Sequence, residues 1–218
     1  MSAVIPARSR DLRQGVRLEL ATIGWMVVEA VVAIAAGVAA RSLLLTAFGI
    51  DSVIELASGG VLLWRLVVDT RGADVAMVER AERRSTAAVG VLLGLLCLYI
   101  LAFSVAGLGL RLRPDASLPG LGITLVALVI MPLLVVGKRS VASRLDSAAL
   151  RGDAACSITC AYMAAAAVVG LLLHVALGWW WAEYAASLAF LYWLIPEARE
   201  ALQAAARGKA RHDECEDD

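Results

Sequence analysis

The chain has 218 residues, 61% of them hydrophobic, with 20 basic and 20 acidic residues and a mean hydropathy of +0.77. A soluble domain is nearer half apolar and does not gather its apolar residues into blocks of twenty, so this is an integral membrane protein. Zero net charge gives no footprint for nucleic acid. The four cysteines, Cys97, Cys156, Cys160 and Cys215, lack the spacing of a secreted disulfide framework.

Residues 1–16 form an Arg-rich N-terminal tail, expected to be cytoplasmic. The apolar run that follows is too long for a signal peptide and is read as a retained first span. Six apolar segments are predicted: Leu20–Ala40, Leu43–Val68, Thr86–Leu110, Leu118–Gly137, Ala148–Leu177 and Trp179–Ile195. At about 1.5 Å per residue, each is long enough, or nearly so, for a hydrocarbon core of about 30 Å. The sixth is short and is expected to stop at Pro196, because the residue before a proline is driven away from helical geometry. The fold class expected is therefore all-α, with six transmembrane helices occupying residues 17–206. A short acidic tail follows at 207–218, too polar to bury a core.

Basic residues set the orientation. Seventeen of the twenty lie in the N-terminal tail, around Asp69–Ser85, in the stretch from Lys138 to Arg151 and in the C-terminal tail. Only Arg41, Arg111 and Arg113 fall on the other side. Both termini are expected to be cytoplasmic, with the protein in the plasma (inner) membrane. The outer connections, at Arg41–Ser42, Arg111–Pro119 and near Gly178, are too short to fold as domains.

Asp51 and Glu55 are one helical turn apart in the second segment, so both carboxylates share a face. An acid at such depth costs on the order of 3 kcal/mol on insertion scales. Cys156 and Cys160 repeat the spacing in the fifth segment. Counted from the segment ends at 1.5 Å per residue, Asp51 and Cys156 lie about 12 Å deep, and Glu55 and Cys160 about 18 Å. On antiparallel helices this makes Asp51 level with Cys160 and Glu55 level with Cys156. Two oxygens and two sulfurs suit a tetrahedral metal of the zinc group better than magnesium or calcium. Structural acids bonded to neighbouring helices, and thiols used as small apolar residues, are the alternative.

Glu29 in the first segment is a third intramembrane acid, suited to a proton relay or to supporting the pair. Asp153 lies three residues before Cys156, where a relay or mouth residue would sit. His174 and Cys97 read as packing residues, and His212 and Cys215 as part of a solvated tail.

These residues resemble the transmembrane domain of the cation diffusion facilitator family, over about Arg17 to Leu202. The family's D-x-x-x-D in helix two is matched by Asp51-Ser-Val-Ile-Glu55, and its H-x-x-x-D in helix five falls on Cys156-Ser-Ile-Thr-Cys160. The tract from Gly170 to Leu188 resembles the family's run from helix five into six, with Glu183 where an Asp is usual. The resemblance is to the membrane domain alone, and the family's large C-terminal cytoplasmic domain is expected to be lacking. It implies a proton-coupled exporter of a divalent transition metal, zinc or cadmium, working by alternating access between helices two and five. Neither an enzyme nor a resident cofactor is expected; the partners are the metal ion, protons and the lipid bilayer. A non-transporting interaction subunit and a membrane thiol oxidoreductase using Cys156 and Cys160 are the rival readings. Gly90-x-x-x-Gly94 in helix three has the small-residue spacing of close helix pairs and is the expected homodimer contact.

Overall fold

In the computed structural model the backbone is described for residues 4–69, 75–145 and 148–216, and side chains for 13–61, 63–64, 87–144, 154, 156–204 and 206. Six helices follow one another: α1 Val4–Ala40, α2 Leu43–Asp69, α3 Val75–Gly109, α4 Leu118–Leu145, α5 Ala148–Leu177 and α6 Trp181–Glu216. No strand occurs among the described residues. The ends of the helices are made by local chemistry. Ser42 caps α2 by accepting the Leu45 amide at 3.3 Å, and Ser117 caps α4 by accepting that of Gly120 at 3.1 Å. Gly178, at φ +69°, closes α5 with its amide on the His174 carbonyl.

The bundle is apolar on its outer surface as well as in its core. Leu95, Leu98, Val129, Leu133 and Tyr192 point outward and are exposed, while Glu29, Asp51, Lys138 and Glu183 are buried. Outward apolar side chains satisfied by lipid, around an apolar core that also holds a few buried charges, make this a multi-pass membrane protein. Among the described residues, five helices are long and apolar enough to cross a bilayer, through Arg13–Ala40, Leu43–Val61, Ala87–Gly109, Leu118–Arg144 and Cys156–Leu177. α6 is not among them, because only Trp181–Ile195 precedes Pro196 and the charged run that follows it.

Packing arranges the helices as a ring in the order α1, α4, α5, α6, α3, α2, with α2 also touching α5 and α6. That position inside the ring makes α2 the helix whose side chains can meet most others. Its approach to α1 is close: a Cβ at Gly49 would lie 2.9 Å from the backbone nitrogen of Ile34.

Several expectations are corrected here. Helix six does not stop at Pro196 but runs on to Glu216. A proline inside a helix costs about 3 kcal/mol, and packing on α3 offsets it, with Leu194 and Ala198 buried on either side. α1 likewise begins at Val4, well before its apolar stretch. Gly90 is buried against Ala201 and Leu202 of α6, whereas nothing lies within 4 Å of a Cβ at Gly94. The two glycines therefore do not offer one free face to a second copy. Within the stretch Asp69–Ser85, α2 reaches Asp69 and α3 starts at Val75; residues 70–74 lie outside the described ones.

Candidate metal centre

Helix geometry puts Asp51 and Glu55 on the side of α2 that faces α5, and the structure brings both to Cys160. One ligand atom from each of the three lies within 4.8 Å of the others. Asp51 is 2% exposed and Cys160 fully buried. The Cys160 thiol hydrogen-bonds the Glu55 carboxylate. Two carboxylates and a thiol at this separation can converge on one cation, and neither Asp51 nor Glu55 can be held there as an anion at low cost without one.

Cys156 does not join this group. It is half-buried one turn earlier on α5, and its thiol donates to the Glu197 carboxylate of α6. Cys160 meets Asp51, as the depth count expects, and it also meets Glu55, which that count places level with Cys156.

Beside the group is a cavity of about 40 Å³, enough for about three waters. Its wall includes Asp51, Glu55, Cys156, Glu19, Lys138 and Glu197. The last three are functional candidates that sequence reading misses. Glu197 lies just beyond the proline at which the sixth helix is expected to end. Lys138 reads as one of the cytoplasmic charges, yet it is 1% exposed, so the acids do have an intramembrane cation near them. The usable signals are Glu19 and Lys138 themselves, lone charges at the margins of long apolar runs.

Glu29 is fully buried in α1 and accepts from Trp25 Nε1 at 2.7 Å and from Ser52 Oγ at 2.6 Å. Ser52 adjoins Asp51 on α2, so Glu29 touches the centre through the backbone next to a candidate ligand. The side chains of Asp153, His212 and Cys215 lie outside the described residues.

Another buried carboxylate stands at the opposite end of the bundle. Glu183 of α6 accepts from the Ser42 hydroxyl on one oxygen and pairs with His174 Nδ1 of α5 on the other. His174, expected to be a packing residue, is thus a polar tie between α5 and α6.

Two acids and a thiol thus converge inside a helical membrane bundle. The family model for the cation efflux transmembrane domain matches residues 20–207, and the chain belongs to that family. Its members move metal cations across membranes and are not enzymes. No curated protein matches the chain.

Proposed function

We propose that this protein exports a zinc-like divalent cation, zinc or cadmium, from the cytosol in exchange for protons. The observation that supports this best is the convergence of Asp51, Glu55 and Cys160 within 4.8 Å on two helices of a membrane bundle. In this reading the three are metal ligands, and Cys156, one turn along α5, supplies a fourth by leaving Glu197. Thiols and carboxylates bind metal only when deprotonated, so loading releases protons and reprotonation expels the ion. A mixed oxygen and sulfur set favours a borderline or soft metal.

The predominance of basic residues at one end of the bundle supports six spans with both termini cytoplasmic. That orientation puts the ends of α2 and α5 nearest the centre on the cytosolic side. A homodimer would use the outward face of α3 that carries Gly94, Leu95 and Leu98, since Gly90 is occupied by α6. Cys156 and Cys160 are each bonded to a carboxylate, which counts against a thiol oxidoreductase.

The test is cadmium flux into proteoliposomes under an imposed pH gradient. Uptake that accelerates with the gradient, and is lost in Asp51→Ala, is expected. Wild-type flux at the no-protein level, with cadmium still binding, would favour the non-transporting subunit.

A further inference from the structure

We infer that Glu19 is a second cation-binding position on the route to the metal centre, and that Lys138 is the resident cation that fills it when no metal is there. The inference rests on the proposed transport site, because it concerns the path into it. Lys138 Nζ of α4 lies 3.3 Å from Glu19 Oε2 of α1, both side chains being nearly fully buried. The same ammonium donates to Ser157 Oγ of α5 at 3.4 Å. On the α2 side, Glu19 Oε1 would lie 2.7 Å from a Cβ at Gly59. Glu19 therefore packs one turn beyond Glu55, about 6 Å further along α2 toward its C-terminal end.

The pair spans four helices and lies in the wall of the cavity that Asp51 and Glu55 also line. An ion pair buried in this way is weak as a stabiliser, since apolar residues of the same volume serve a fold as well or better. Its place beside the acids has a chemical use instead. Lysine carries a compact charge on a flexible stem, so it can withdraw from a carboxylate without taking the backbone with it. A dication arriving at Glu19 replaces a monocation there, then moves one turn inward to two carboxylates and a thiol. Lys138 returns to Glu19 behind it. Among the described residues Lys138 is the one buried Lys or Arg, so it also offsets part of the negative charge that would remain around a single dication.

The experiment is equilibrium dialysis of purified full-length protein against cadmium chloride, with the ultraviolet thiolate-to-cadmium absorption recorded at each point. The absorption reports the sulfur-containing centre, and dialysis reports every bound ion. Wild type should bind one tight equivalent that carries the band and a second, weaker one that does not. In Lys138→Met the second equivalent should tighten about tenfold or more with the band unchanged. Glu19→Gln in the same chain should abolish the tightening. Lys138→Arg keeps the charge and adds a bidentate grip on Glu19, so it should weaken the second equivalent. A folded Lys138→Met with an unmoved second equivalent overturns the inference, as does tightening that survives Glu19→Gln. Should Lys138→Met not fold, a Lys138→Arg protein with wild-type affinity for the second ion overturns it as well. Asp51→Ala keeps the two levels separate: if it retains the tight, band-carrying equivalent, the transport site itself is wrong, whatever Lys138 does.

Discussion

The bundle buries acids at both of its ends, and the two places differ in what answers the charge. Glu183 is met on both oxygens, by the Ser42 hydroxyl and by His174, and it ties α5, α6 and the cap of α2 together. Asp51 and Glu55 are one turn apart beside a cavity, with the Cys160 thiol as the donor on Glu55. A buried carboxylate with its hydrogen bonds made is part of the architecture. Two carboxylates held close to each other beside open space are what the proposed function assigns to a guest cation. Glu29, bonded by Trp25 and Ser52, belongs with Glu183 in chemistry although it lies next to Asp51 in space.

The largest effects should separate the two places. Asp51→Ala or Glu55→Ala is expected to lower cadmium affinity about 100-fold or more while leaving the thermal midpoint equal or raised. Glu183→Ala should do the reverse, leaving His174 and Ser42 unpaired at a cost of about 2–3 kcal/mol, with cadmium affinity nearly unchanged. Paired melting curves and binding isotherms check both. A Glu183 variant that loses metal without losing stability would erase the distinction.

Packing supplies the next contrast. Gly90→Leu forces a side chain onto Leu202 and Ala201 of α6 and should destabilise by roughly 1–3 kcal/mol. Gly94→Leu meets open space and should leave the monomer as stable as before. Differential scanning in detergent reads the first, and crosslinking reads any dimer lost in the second.

The two thiols should also differ. Cys160→Ser is expected to weaken cadmium binding by about tenfold more than Cys156→Ser, because only Cys160 stands with both acids. The double substitution Cys156→His with Cys160→Asp removes both sulfurs and should move preference from cadmium toward zinc. Equal losses from the two serine variants would place both sulfurs on the ion from the outset.

The α2 half of this arrangement is legible in the sequence because a helix fixes what its own residues share: Asp51 and Glu55 must lie on one face. The partner of Glu55 is less legible, since a depth count fixes backbone levels and not where a flexible side chain reaches. Glu197 is hidden by a local rule about proline that tertiary packing on α3 overrides. Lys138 is hidden by a rule about basic residues that sorts loops, not side chains reaching inward from a span's last turns. His174 escapes notice because its partner, Glu183, lies across a turn that the spacing alone does not close.

The smallest effect is expected at the C-terminus. Deleting the residues after Gly208 should change apparent cadmium affinity by no more than about twofold, the centre being built by α2 and α5. Transport assays on the truncated, well-inserted protein check this.

The central claim is that carboxylates of α2 and thiol of α5 hold one cation together. X-ray absorption at the cadmium edge tests it directly, on wild type loaded with one equivalent and on the protein carrying both Cys156→Ser and Cys160→Ser. A mixed oxygen and sulfur shell in the first, and an all-oxygen shell in the second, is the result expected. An all-oxygen shell in the wild type, or a sulfur signal that survives both serines, would contradict it.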